Sequence, residues 1–190
     1  MAVVEGTAVD TRAVILDAAV AEMTRVGLRK LSLVEVARIA GVSRQTVYRY
    51  FRDRDELIAA VVSRDVDTTL STTRAALDHV PDLHEALRTG IAMVLESARQ
   101  HPVLDALLET EPALVVSYLS SPSSPVLRVA RPVLEELVAT RLPTVPVGRM
   151  RVFADMVARI LVSYTVMPPD QPVDQIAATL ADVFIDGVAA

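Results

Sequence analysis

Residues 33–51 read LVEVARIAGVSRQTVYRYF, and this stretch decides the fold. Leu33, Val36, Ala37 and Ala40 recur at three- and four-residue spacing, the period of a helix with one buried face. Gly41-Val42-Ser43 interrupts the period, and Val47 resumes it in a second short helix that Ser43 caps and that runs through Tyr50. Two helices joined by a three-residue turn have strict packing demands. Ala37 falls where the second helix must come close, so a small side chain is required there. Gly41 falls where the turn calls for positive φ. Val36, Ala40, Val42 and Val47 supply the apolar contacts that fix the interhelix angle. All these positions are satisfied together, which is the packing signature of a helix-turn-helix.

Outward from this pair the helical reading continues. A first helix is expected from about Asp10 to Val26, with Ile15, Ala18, Ala19, Glu22, Met23 and Val26 on its inward side and edge, and Gly27 ends it. Ser32 starts the second helix, and Glu35 completes a capping box; Asp53 with Glu56 repeats that signature and starts a fourth helix reaching about Leu77. All eleven prolines lie at or beyond Pro81. They punctuate the remainder into helices near 82–100, 102–109, 112–120, 124–141, 148–166 and 172–188, several starting on a first-turn proline. Alternating strand patterns and hairpin turn pairs are nearly absent. The expected fold class is all-α: an N-terminal three-helix domain carrying the helix-turn-helix, then a larger helical domain. The expected boundaries are a loose tail over 1–9, the first domain over 10–56 with the fourth helix linking from about 53, and the second domain over 57–190.

Charge is unevenly placed. The chain carries a net −5, yet Arg29 to Arg54 holds seven basic residues against two acidic ones. From Asp67 onward fifteen acidic residues face nine basic ones. One short basic block on an acidic body is an electrostatic footprint for a polyanion. Mean hydropathy is +0.38, but the most apolar stretch, Val152 to Val162, is broken by Asp155 and Arg159, and no run approaches the ~20 residues of a membrane span. Buried helices and a subunit interface are expected instead, with no membrane partner. The N-terminal MAVVEGTAVDTR lacks a basic segment followed by an apolar core, so no signal peptide is expected and the cytoplasm is the default compartment. The absence of cysteine excludes disulfides, thiolate metal sites and thiol catalysis.

The outer side of the third helix has the opposite chemistry to its inner side. Arg44, Gln45, Thr46, Arg49 and Tyr50 are long or polar groups on a short exposed helix. Arginine pairs with guanine O6 and N7 and glutamine with adenine N6 and N7. Hydroxyl side chains suit phosphate oxygens, as does the helix N-terminus at Ser43. The alternative is a plain surface helix of a bundle; the basic block and the turn packing together favour recognition of double-stranded DNA.

Residues 12–57 resemble the DNA-binding domain of the tetracycline-repressor (TetR) family. The matching run is Arg12, Ile15-Leu16-Asp17-Ala18-Ala19, Gly27, Ser32, Val36-Ala37, Ala40-Gly41-Val42-Ser43, Thr46-Val47-Tyr48, Tyr50-Phe51 and Asp53-Arg54-Asp55-Glu56-Leu57. The resemblance implies a phosphate contact from Ser32, and Ser43, Arg44, Gln45, Thr46 and Arg49 facing the major groove. It implies hydrogen bonds from Tyr48 and Tyr50 to the DNA backbone, the Tyr48 ring being equally suited to packing. Arg54, where the family usually has lysine, would anchor the fourth helix to a phosphate. Gln45 departs from the family's frequent glycine and adds a base-reading side chain, so operator preference is this protein's own. Val47, Phe51 and Leu57 read as core.

The resemblance further implies that the C-terminal helices serve dimerisation and effector binding. Phe153, Val157, Ile160, Leu180, Val183 and Phe184 are the expected dimerisation residues, two helices per subunit forming a four-helix bundle. A homodimer places two recognition helices about 34–36 Å apart on a palindromic operator. The middle helices are aliphatic, including Leu114, and the last helix carries Val188 on the same apolar side. An aliphatic cavity suits an acyl chain or another small apolar ligand. Met93, Leu107, Tyr118, Arg159 and Tyr164 are the expected effector-binding residues, with Arg159 alternatively pairing with Asp155 at i,i+4. Release would be a population shift transmitted along the fourth helix. No cofactor and no metal is expected: His79 and His84 are five apart and do not share a helix face, and no phosphate-cradling glycine loop or nucleophile elbow is present. An enzyme is therefore not expected. The rival reading is an architectural, chromosome-associated DNA binder without effector control.

Overall fold

The computed structural model describes residues 10–121 and 124–189, with side chains described for all of these but 102, 103, 114, 120, 188 and 189. The expected tail over 1–9 lies outside the described residues, as do the side chains of Leu114 and Val188. Ten helices and no strands occur among the described residues: α1 (Thr11–Val26), α2 (Leu33–Ile39), α3 (Arg44–Tyr50), α4 (Arg54–Leu77), α5 (Leu83–Arg99), α6 (Pro102–Thr110), α7 (Pro112–Ser120), α8 (Pro125–Arg141), α9 (Val147–Val166) and α10 (Val173–Ala189). The all-α expectation holds. Contacts divide the chain into two units, one ending at Val61 and the other beginning at Val62. No described helix is long and apolar enough to cross a membrane.

In the first unit, α1 buries Ile15, Leu16, Ala18, Ala19 and Met23 and packs against α2; Val36, Ala37, Val47, Phe51, Leu57 and Ile58 are buried with them. Glu22 is buried on α1, and Arg25 compensates it with two hydrogen bonds of 2.9 and 3.0 Å. Such a carboxylate is tolerated only because its partner reaches in from solvent. Asp10 caps α1 by accepting from the Arg12 N–H, and Gly27, at φ 80°, closes its other end by donating to Met23 O.

The second unit is built on two strongly packed helix pairs, α5 with α10 and α8 with α9. Leu83, Leu87, Ile91 and Leu95 of α5 meet Val138 of α8, Phe153 and Val157 of α9, and Ile176, Ala177, Ala181 and Phe184 of α10 in one core. Phe153 and Phe184 meet edge to face, ring centroids 5.8 Å apart. Pro102, Pro112 and Pro125 each occupy the first turn of a helix, where the missing N–H costs nothing.

Candidate nucleic-acid interface and effector cavity

The turn between α2 and α3 is a Schellman motif. Val42 N donates to Ala37 O (3.0 Å) and Gly41 N to Arg38 O (3.3 Å), with Gly41 at φ 67°. Val36, Ala37 and Val47 are buried and set the angle between the helices. Ser43 caps α3: its hydroxyl accepts from Thr46 N at 3.0 Å and lies 2.9 Å from the Thr46 hydroxyl. Ser43, Arg44, Gln45, Tyr48, Arg49 and Tyr50 are exposed and Thr46 is half-buried, so α3 turns one continuous polar side to solvent. Arg49 stacks over the Tyr50 ring, 5.5 Å from its centroid, which orients the guanidinium without consuming its donors. Tyr48 is 53% exposed, so its ring is not packed inside.

The capping of α2 differs from its sequence reading. Ser32 precedes α2 in an extended conformation but makes no side-chain capping bond. The expected capping box fails because Glu35 is turned to Arg38, at 2.7 Å, and that bond holds the Glu35 carboxyl below its ordinary range. At the second signature the cap does form: Asp53 accepts from Glu56 N at 2.8 Å, while Glu56 reaches one residue beyond the cap and accepts from Arg52 N at 2.7 Å. Arg54 contacts Asp55 at 3.4 Å and donates to Arg29 O at 3.2 Å, so it ties the start of α4 to the segment before α2 as well as carrying charge. Arg38, Arg52 and Arg54 thus have carboxylate neighbours, and the basic block is less positive than a count of its residues implies.

A cavity of about 410 Å³ lies in the second unit between α4, α5, α8 and α9. Three cross-links fix its walls: Arg128 to the Ser63 hydroxyl (3.3 Å), the Arg74–Glu136 ion pair, and Arg141 to Leu77 O (2.8 Å). They make α8 run parallel to α4, while Ser97 beside Thr69 and Gly90 beside Leu77 make α5 run antiparallel. Lining residues recur on α4 from Val62 to Leu77, a run of about 22 Å at 1.5 Å per residue. The cavity is therefore elongated. Among the described residues, no phenylalanine, tyrosine or tryptophan is in its lining. Thr73, Thr140 and Thr165 turn their hydroxyls to their own helix carbonyls (2.8–2.9 Å), which removes those donors from the cavity.

None of the five expected effector residues lines this cavity. Tyr164 lines a second one of about 310 Å³ beside it, with Leu108, Arg99 and Pro168. Met93 is half-buried, Leu107 is buried, and Tyr118 is half-buried; all three are outside the lining of both cavities. Arg159 pairs with Asp155 at 2.8 Å, the i,i+4 alternative, and Arg131 joins the same carboxylate, which is held below its ordinary range. Among the polar groups that do line the large cavity, Asp65 and Thr69 of α4 meet His101, the cap of α6, and Ser97 of α5, partners 36 and 28 residues apart, so no local motif announces them.

The six expected dimerisation residues also divide. Phe153, Val157 and Phe184 are buried inside the chain's own core, and Ile160 and Leu180 pack against it. Only Val183 of the six is largely exposed, at 61%. The apolar groups that α9 turns to solvent are instead Val147, Val152 and Met156.

Residues 15–61 match the family model of bacterial regulatory proteins of the tetR family, and residues 82–185 match that of the bacterial tetracyclin repressor C-terminal domain. The chain belongs to the TetR family. It is a TetR-family helix-turn-helix transcriptional regulator, not an enzyme. It is 29% identical over 153 residues to the transcriptional regulator AlkX of Mycobacterium tuberculosis, a match covering 80% of this chain and 72% of the relative. Other curated M. tuberculosis relatives are 33% and 36% identical but over only half of this chain, which spans 48% and 40% of their length. Among solved structures, the TetR family repressor AlkX of Dietzia sp. strain DQ12-45-1b superposes with a TM-score of 0.77 at 25% identity, covering 97% of this chain and 98% of that one. RolR in complex with resorcinol shares the fold, with a TM-score of 0.67 at 17% identity over 90% of this chain and 85% of that one.

Proposed function

We propose that this TetR-family regulator is a cytoplasmic repressor that binds a palindromic operator as a homodimer and is released by a small apolar effector. The observation that carries the reading is the elongated, aliphatic cavity of about 410 Å³ in the unit that follows the helix-turn-helix. A space of this size lined by methyl and methylene groups favours an aliphatic ligand over a stacked aromatic one. The likeness to Dietzia AlkX, a repressor implicated in biodegradation of n-alkanes, supports the same chemistry.

On the operator, Arg44 and Gln45 read bases, Thr46 and Arg49 complete the groove-facing side, and Ser32, Ser43, Tyr48, Tyr50 and Arg54 hold phosphates. Dimerisation uses the outward apolar groups of α9 and α10, Val152, Met156 and Val183, while the buried phenylalanines support those helices from within. Effector binding beside α4 favours a state in which the paired recognition helices no longer match the spacing of two half-sites. Genome fragments captured on the purified protein, then sequenced, test this. A shared palindrome near a gene start is expected; dispersed capture without a common site would put an architectural DNA binder in its place.

A further inference from the structure

The two ends of the cavity differ chemically. At one end α4 faces the C-terminal part of α5 and the start of α6 in two polar rungs. Asp65 meets His101, the residue that caps α6, Nε2 to carboxylate oxygen at 3.4 Å, and four residues further along α4 Thr69 meets Ser97 of α5, hydroxyl to hydroxyl at 3.3 Å. All four line the cavity, and the rungs are about 6 Å apart at 1.5 Å rise per residue. His101 accepts from Leu104 N through Nδ1 at 3.2 Å, which leaves Nε2 for Asp65. The Thr69–Ser97 contact is long for a hydroxyl pair and opens at little cost. At the other end the two lining arginines are occupied: Arg74 by Glu136, and Arg141 by the carbonyl oxygens of Leu77 and Val80 at 2.7–3.0 Å.

We propose that the Asp65–His101 and Thr69–Ser97 rungs are a head-group site, and that the effector is a neutral aliphatic molecule carrying a hydroxyl group. The inference rests on the reading of this cavity as the effector site. Charge decides the class of head group. Arg64 Nε also lies 3.6 Å from the Asp65 carboxylate and Asp105 stands near His101, so the four groups together carry no net charge with His101 protonated and a negative one with it neutral, the state in which its Nδ1 accepts. A ligand carboxylate in the adjacent rung would lie within about 6 Å of the Asp65 charge in a partly dry site, where like charges repel and desolvation adds to the cost. A ligand hydroxyl has the complementary set: it donates to Asp65 and accepts from Ser97 or Thr69. A plain alkane fills the channel but leaves both rungs without a partner.

Binding of octane and octan-1-ol to the full chain, read by headspace gas chromatography, and of octanoate, read by equilibrium dialysis, tests the proposal. Two added hydrogen bonds give octan-1-ol about a tenfold advantage over octane, and octanoate binds no tighter than octane. Thr69→Val, and separately Ser97→Ala, narrows the octanol preference to within about twofold; if one variant fails to fold, the other carries the comparison. Equal binding of octane and octan-1-ol overturns the head-group site while leaving an apolar effector cavity. No binding of any of the three overturns both. Octanoate as the tightest ligand, with that preference lost in Arg141→Leu, moves the head group to the opposite end and also overturns the proposal.

Discussion

Replacing Gly41 by alanine isolates the cost of one backbone conformation at the heart of the DNA-binding unit. Gly41 sits at φ 67°, and a Cβ built there meets nothing within 4 Å. The substitution therefore carries no clash, loses no contact and leaves the Val42–Ala37 and Gly41–Arg38 backbone bonds geometrically possible. What remains is the left-handed penalty of an L-residue, about 1–2 kcal/mol. Asparagine tolerates that region better, so Gly41→Asn should cost clearly less than Gly41→Ala. Gly148 is the control: it lies in α9, its Cβ also meets open space, and its φ is not positive, so Gly148→Ala should be neutral or stabilising. Urea unfolding of the full chain followed by circular dichroism reads all three. Loss of less than about 0.3 kcal/mol in Gly41→Ala, or equal losses in the alanine and asparagine variants, would refute the assignment of this turn to a glycine-dependent Schellman cap.

Three further expectations follow from the geometry. Arg44→Ala should cost about 1–3 kcal/mol of discrimination at one operator position, whereas Arg54→Ala should weaken all sequences alike and reduce the salt slope by about one; fluorescence anisotropy on operator variants separates them, and altered base preference in Arg54→Ala would reverse the roles. Phe153→Ala empties a place in the core and should cost about 3–5 kcal/mol of stability, while Met156→Asp on the exposed side of α9 should leave the fold intact and weaken self-association, read by sedimentation; a folded, monomeric Phe153→Ala would contradict this. His101 is raised above its ordinary 6.5, chiefly by its hydrogen bond to Asp65. A folded-state pKa above the unfolded one gives stability that is complete below about pH 6.5 and is lost as pH rises through the folded value. Between about pH 6 and pH 8 the wild type should lose more stability than His101→Gln; parallel profiles would show that the pair contributes nothing.

Much of this protein is legible in its sequence because its signals are local. Glycines at 27 and 41, the Asp53–Glu56 box and the first-turn prolines each act within one turn of helix, and each lies at a helix end in the structure. The recognition helix was legible for the same reason, since seven consecutive residues carry it. Ser32 shows the limit: Glu35 had two partners within reach, and an arginine three residues on outcompeted a backbone N–H. The second unit resists reading because α9 is apolar on both sides. Val152 and Met156 on its outer face look, as residues, like Phe153 and Val157 on its inner face, and only packing distinguishes them. The cavity is harder still. Its polar rungs join residues far apart in sequence, and its apolar wall is made of the same Val, Leu and Ala that fill the core.

The central claim is that operator binding and an aliphatic ligand in the α4–α5–α8–α9 cavity are coupled. The most direct test titrates operator DNA with the purified protein at fixed salt, with and without saturating octan-1-ol. The account predicts a Kd for operator at least about fivefold higher with ligand present, the lower end of ordinary allosteric coupling. A ligand that binds the cavity tightly yet leaves operator affinity unchanged would contradict it.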